Sequence, residues 1–243
     1  MAAPILTAAA AMPSRRRFYA HAWLFFLAAL LLTVAGFWSS FFSRPAAVSG
    51  LRLLHGVVST AWLVLALVQA GLMRLDLGRW HRTAGRLGYL VMPLLIVTGA
   101  WVLHLMLAGQ TRLPKPLTIV LGFIDLGTLL FLAIAFTAAM IHRRDPQSHA
   151  RWMATTVLVV LPPALTRLVF AIQPQAAFDV ALGLAYAAVV GTAAVLVVVD
   201  WRGGRLRAPY PSALVYLAGT YALLGYVAAS PAWQSAAAWI GGR

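Results

Sequence analysis

Apolar runs of about 20 residues, the length a helix needs to cross a bilayer core, recur along the chain between short polar breaks. They predict seven spans, near residues 18–42, 51–73, 87–108, 116–141, 152–173, 177–199 and 211–229. Pro and Gly punctuate the breaks: Pro45, Gly78, Pro114, Pro116, Pro146, Pro174, Gly203 and Gly204. The connections are short, so consecutive spans are expected to be antiparallel neighbours. The pattern predicts an all-α fold, a polytopic transmembrane helix bundle of about seven spans. Pro162 and Pro163 are expected to kink the fifth span, and Pro93 the third more mildly.

The polar breaks are strongly asymmetric in charge. With the N-terminus inside, the inner segments carry Arg15, Arg16, Arg17, Arg74, Arg79, Arg82, Arg86, Arg143, Arg144, Arg151, Arg202, Arg205 and Arg207. The outer side carries Arg44, Arg52, Arg112, Lys115, Arg167 and Arg243. Thirteen cations against six is the bias expected of a bacterial inner-membrane protein with a cytoplasmic N-terminus. The organisation read from this is a cytoplasmic tail over 1–17, a helix bundle over 18–229 with its core at 50–172, and an outer interfacial tail over 230–243 holding Trp233 and Trp239. Ser14-Arg15-Arg16-Arg17-Phe18 resembles a twin-arginine export signal. The following apolar run is long for a signal peptide and ends in no small-residue cleavage site, which favours ordinary flanking charge.

Composition narrows the chemistry. Only 10% of residues are charged and 62% are hydrophobic, against roughly 25% charged in soluble domains. The lipid bilayer is therefore the main partner. The net charge of +14 reads as Arg facing anionic headgroups and not as nucleic-acid binding. There is no Cys, which excludes disulfides and thiolate metal sites. There is no Glu, which excludes the H-E-x-x-H zinc motif, and no phosphate loop or G-x-G-x-x-G fingerprint. Lys115 is the single lysine and lies in an outer loop, so a retinal Schiff base in the seventh span is impossible.

Two inner loops echo each other. Arg74 to Arg82 reads R-L-D-L-G-R-W-H-R, and Arg143 to Met153 reads R-R-D-P-Q-S-H-A-R-W-M. Each has Arg, Asp, then His, then Arg, and each joins an outgoing helix to a returning one. A duplicated hairpin and chance similarity of basic loops both account for this. The Asp of each loop is expected to pair with Arg or to cap the next helix.

These loops carry a resemblance. His81-Arg82-Thr83-Ala84-Gly85-Arg86-Leu87-Gly88-Tyr89, His149-Ala150-Arg151-Trp152-Met153 with Arg167, and His55-Gly56 resemble a group of bacterial multi-pass membrane proteins classed as a domain of unknown function. Its hallmarks are H-R-x-x-G-R before one helix and H-x-R-W-M before another, two spans on. The likeness covers roughly residues 50–172 and departs at Ala150, where the group usually has Arg. It implies architecture and little biochemistry. The second motif is also loosely similar to the H-R-R-x-M of copper-handling oxidase assembly factors. A weaker likeness is to diheme b-type cytochromes, although His81 and His149 lie nearer the loops than haem ligands of that class.

Ionisable groups within spans are costly and mark candidate sites. His55 lies four residues into the second span from the outer side, and His104 four residues short of the outer end of the third. Arg167 lies about six residues inside the outer end of the fifth span and Asp125 about nine into the fourth, at 1.5 Å per residue. These four are expected to share one outer-leaflet site, with His55 and His104 as ligands of haem b or copper and Arg167 facing a haem propionate or a quinone headgroup. The competing reading has Asp125 and Arg167 as a buried ion pair and the two His at the interface. Ser59, Trp62 and Gln69 share a helical stripe with His55 that should face protein. A second, inner cluster comprises His21, His81, His149, Arg82 and Arg151, with His142 beside it. It would cap helices and touch lipid phosphates, or hold an inner haem or metal.

Three function classes follow. One is a redox or metal-handling protein of the respiratory membrane. The second is a small-solute or proton transporter using Asp125, Arg167 and the kinked fifth span. The third is a non-catalytic accessory or scaffold subunit of a larger membrane complex, which suits the many small residues.

Overall fold

A computed structural model describes residues 21–242, and they are helical with no strand among them. The tail over 1–17 and the first residues of the first span lie outside the described residues. Helix α1 runs Ala22–Gly36, followed by a π-helical turn at Trp38–Phe42 and a 3-10 turn at Pro45–Ala47. Then come α2 (Gly50–Arg74), α3 (Gly78–Gly85), α4 (Gly88–Leu107), α5 (Lys115–Ile141), α6 (Pro146–Leu158) and α7 (Pro162–Ile172). The chain ends with α8 (Phe178–Arg202), α9 (Pro209–Ala229) and α10 (Pro231–Ile240).

Five helical segments are long and apolar enough to cross a membrane: Gly50–Arg74, Gly78–Leu107, Lys115–Ile141, Phe178–Arg202 and Pro209–Ala229. The pair α6–α7 makes a sixth if taken as one span bent by 42°. The first expected span, 18–42, corresponds to α1, whose 15 described residues make it a shorter apolar helix. The bend has the expected cause. Pro162 lacks the N–H that would bond back into α6, and its ring crowds the preceding turn. Pro93, by contrast, lies inside α4 without ending it.

Helices α1, α2, α4, α5, α9, α8 and α7 pack in that order and close back on α1. The first half of the bent span, α6, touches α1, α2, α5 and α9 and sits at the centre of this ring. That explains why Arg151, Trp152, Thr155, Thr156, Val157 and Leu158 are all buried. Close approach comes from small residues, since lipid offers no hydrophobic drive between helices. Ala135, Ala139, Ala164, Ala181, Ala193 and Ala213 are fully buried. The outward faces are apolar: Ile134, Val195, Val215 and Leu130 are all exposed. Such a surface suits hydrocarbon and not water. Exposed Trp80 and Trp201 sit at one end of the bundle, and Trp38 and Trp239 at the other, the placing expected of aromatic belts.

The C-terminal segment, expected as an interfacial tail, is a packed helix. Ser230 caps α10 by accepting the Trp233 N–H. Trp233 then buries its ring against Leu103, Met106 and Leu107, and its indole N–H donates to Ile119 O at 2.9 Å.

Candidate functional site

The outer four residues do not gather at one point. On α2, His55 Nδ1 lies 3.1 Å from Thr98 Oγ1 of α4. The Thr98 hydroxyl proton goes to Leu94 O at 2.8 Å. Thr98 therefore accepts from His55, which puts the imidazole proton on Nδ1 and leaves Nε2 unprotonated, 3.5 Å from the Ser59 hydroxyl. Gly99 makes room for this contact: a Cβ there would come within 3.3 Å of the imidazole Cε1. His104 is five residues beyond Gly99, about 140° further round the helix. It faces α10, and its Nδ1 donates to Ile240 O at 2.6 Å. The two imidazoles are thus held by different partners on different faces.

Arg167 and Asp125 are near enough to feel each other's charge. No hydrogen bond or ion pair joins them among the described residues. Arg167 donates to Pro163 O at 3.0 Å and lies over the Phe37 ring at 4.4 Å. Asp125 is half-buried on α5 and also acts electrostatically on Tyr186 and Tyr216. One turn along from it, Thr128 Oγ1 meets Tyr216 Oη at 2.9 Å. Tyr216 stacks on Phe131, and Tyr186 on Tyr221. This mid-depth cluster of a carboxyl, phenols and a hydroxyl spans α5, α8 and α9. The sequence does not single out these tyrosines, because aromatic residues in apolar helices carry no signal of which neighbour they face.

Among the described residues, a buried ion pair lies elsewhere. Arg151 donates through Nε to Asp200 Oδ2 at 2.6 Å and through an Nη to Oδ1 at 2.8 Å. Both side chains are buried, and a second Arg151 Nη donates to Gln147 O at 3.1 Å. Arg151, expected beside lipid phosphates or in an inner cofactor site, is instead a structural partner of α8. Asp145 is the expected N-cap, and its Arg partner comes from a distant loop and not from its own. It caps α6 by accepting the Gln147 N–H and pairs with Arg207 at 2.5 Å. The Ser148 hydroxyl, the Gln147 N–H and Arg207 hold its carboxyl below the ordinary value of 3.8. Asp76 is not the cap of its helix: it adopts φ 58° in the α2–α3 turn, and Leu77 occupies the N-cap position of α3.

The inner cluster is where the structure brings imidazoles together. His81 and His149, from the two echoing loops, have ring centroids 6.3 Å apart with planes at 84°. Each Nδ1 faces a carbonyl of the helix before it. His149 Nδ1 lies 2.9 Å from Ala139 O, and His81 Nδ1 lies 3.3 Å from Gln69 O. A carbonyl only accepts, so His149 carries its proton on Nδ1 and keeps Nε2 bare. His81 has a second partner. The Gln69 amide satisfies its surroundings when its oxygen accepts the Gly85 N–H at 2.9 Å and its nitrogen donates to His81 O and to Nδ1, at 2.6 Å. In that state His81 carries its proton on Nε2. If the amide turns over, His81 Nδ1 donates to Gln69 and Nε2 becomes bare. Gln69 is buried and so sets the tautomer of a half-buried histidine. Its stripe-mate Trp62 is buried as expected, and the Trp62 indole N–H has no acceptor among the described residues.

His21 is exposed ahead of α1, Arg82 is exposed on α3, and His142 Nδ1 donates to Ala138 O of its own helix. No group of three or more His, Cys, Asp or Glu positioned for a metal ion occurs among the described residues. No family model, curated protein or solved structure matches the chain.

Proposed function

We propose that this integral membrane protein belongs to the redox or metal-handling class and holds haem b iron or copper between His81 and His149. The observation that carries this reading is the 6.3 Å separation of the two rings. Two imidazoles on opposite sides of one ion, with metal–nitrogen bonds of about 2.0–2.1 Å, have centroids about 6.3 Å apart. The second support is the Ala139 carbonyl on His149 Nδ1; on His81 the Gln69 carbonyl plays that part once the Gln69 amide turns away from Nδ1. Ligating histidines usually donate their other N–H to such a group, which orients the ring and raises its basicity. His55 and His104 are each pinned in a ligand-ready tautomer, but they do not face a common point. The reading therefore takes the inner side as the seat, in a bacterial inner membrane with the N-terminus cytoplasmic. A bound iron would supply one-electron exchange, and a bound copper either that or carriage to a partner subunit.

Purification from membranes followed by an absorbance spectrum and metal analysis tests the assignment. A bis-imidazole haem spectrum, or copper near one per chain, is expected. His81→Ala and His149→Ala should each abolish it, while His104→Ala leaves it intact. A colourless, metal-free protein that takes up neither group would overturn the reading.

A second reading is favoured by the Asp125, Thr128 and Tyr216 cluster at mid-depth. Charged side chains there default to ion or proton pathways. Uptake by vesicles carrying the protein, unchanged by Asp125→Asn, would remove it.

A further inference from the structure

We propose that the groove between the outer ends of α1 and α7 is a binding site for the phosphate of a lipid headgroup, with Arg167 as its cation. The groove has a volume of about 200 Å³ and is lined by Gly36, Ser39, Ser40, Arg167, Phe170 and Ala171. Its walls are fixed by a close helix approach: a Cβ on Gly36 would lie 2.1 Å from Ala164 O. Its rim is the π-helical turn Trp38–Phe42, an irregularity that often marks functional positions.

The donors in the groove point to an anion. Arg167 uses one Nη on Pro163 O and lays its face on Phe37. Its remaining N–H groups have no acceptor among the described residues. The Ser39 and Ser40 hydroxyls likewise have no partner there. A guanidinium fork with free N–H groups, flanked by two hydroxyls, matches tetrahedral phosphate oxygens. Asp125 acts on Arg167 from α5 without bonding to it, so it tempers the site's charge and does not fill the site.

Position and surroundings favour a lipid over free phosphate. Arg167 lies five residues before the end of α7 at Ile172, about 7.5 Å in by helix rise. Its Nη on Pro163 O, one turn further from that end, and its face on Phe37 keep the head inside the groove, so a headgroup phosphate would reach it from the rim. Phe170 and Ala171 form an apolar wall beside it, and Trp38 stands exposed on the rim. These are surfaces for acyl chains and glycerol, which inorganic phosphate does not need.

Native mass spectrometry of the full chain tests the site. The protein would be titrated with phosphatidylglycerol, with a glycosyl diacylglycerol of the same acyl chains, and with inorganic phosphate as competitor. Phosphatidylglycerol should be retained and the phosphate-free lipid washed away. Arg167→Gln should weaken retention by about tenfold or more. The fold-preserving variants Arg167→Lys and Ser39→Ala with Ser40→Ala should lose several-fold, and Asp125→Asn should bind as tightly as wild type or more tightly. Equal retention of the two lipids, retention unchanged across the Arg167 variants, or loss on Asp125→Asn would overturn the proposal. Displacement of the lipid by millimolar inorganic phosphate would assign the groove to the free anion and overturn the lipid source.

Discussion

Arg151 and Asp200 form a two-bond ion pair between the central helix α6 and the C-terminal end of α8, at 2.6 and 2.8 Å. Both side chains are buried, Arg151 at 1% exposure and Asp200 at 8%. Removing one partner leaves an uncompensated charge in a low-dielectric interior, which costs about 3–5 kcal/mol. Asp200→Asn or Arg151→Met should therefore lower the detergent-solubilised melting temperature sharply. The double replacement Arg151→Met with Asp200→Leu should recover most of the loss, because an apolar pair of similar volume avoids the desolvation of two ions. A double variant no more stable than either single one would show that the pair does more than hold the helices together.

Asp145 sets a pH dependence at the same end. The Ser148 hydroxyl first, then the Gln147 N–H and Arg207, favour its charged form, so its folded value lies below 3.8. A carboxyl lowered on folding contributes stability above its unfolded value and loses it as pH falls through the folded one. The start of α6 should therefore hold its amide protection from neutrality down to about pH 4 and lose it below. Hydrogen exchange over Pro146–Arg151 measures this. Asp145→Asn should show faster exchange at neutral pH and converge with wild type in acid.

Much of the bundle is legible in the sequence, and the reasons are physical. Spans announce themselves because unpaired backbone cannot sit in lipid, so apolar runs of helical length have one outcome. The cap at Asp145 and the bend at Pro162 are local and equally legible. What the sequence hides is pairing over distance. Asp200 lies 49 residues from Arg151, and nothing near either residue names the other. His55 and His104 share a depth but not a face, because matched depth ignores the helical angle. The loop echo is the exception: two short motifs that read alike place His81 and His149 against each other.

Gln69 should tune whatever the two imidazoles hold. Its amide stabilises the His81 tautomer that carries a proton on Nε2, which is the form that does not ligate. Gln69→Glu would offer a carboxylate that only accepts, fixing the proton on Nδ1 and baring Nε2. Metal or haem occupancy should rise, by about tenfold in affinity on the scale of such orienting partners. Gln69→Leu removes the amide donor and leaves the backbone carbonyl of that position as the acceptor for Nδ1–H, so it too should raise occupancy, by less than Gln69→Glu. Titration of the purified protein with haem or Cu(I), read by absorbance, decides this, and equal affinities for wild type and Gln69→Glu would remove Gln69 from the site.

Helix α10 is latched through His104 and Trp233 to the end of the bundle opposite His81 and His149. His104→Ala deletes one hydrogen bond to Ile240 O, worth about 1 kcal/mol net. Trp233→Ala deletes a bond and a buried ring, which costs about 3–5 kcal/mol by the usual scale of core truncations. Limited proteolysis from the outer side should accordingly release the C-terminal segment slowly from His104→Ala and rapidly from Trp233→Ala. Haem or metal content should stay the same in both, since the proposed seat is at the opposite end.

Gly36 makes a very close helix contact and should be among the least tolerant positions of the protein. A Cβ there would sit 2.1 Å from Ala164 O and 2.8 Å from its carbonyl carbon. Backbone cannot turn aside as a side chain can, so Gly36→Ala must push α1 off α7. Overpacking of this kind costs about 1–3 kcal/mol, and it should widen the groove that holds Arg167. Gly71, where an added Cβ would meet nothing within 4 Å, is the matched control, and Gly71→Ala should be neutral or slightly stabilising in a helix. Melting curves of the two variants in the same detergent provide the comparison. If Gly36→Ala melts with Gly71→Ala, α1 and α7 do not approach as closely as their small residues allow.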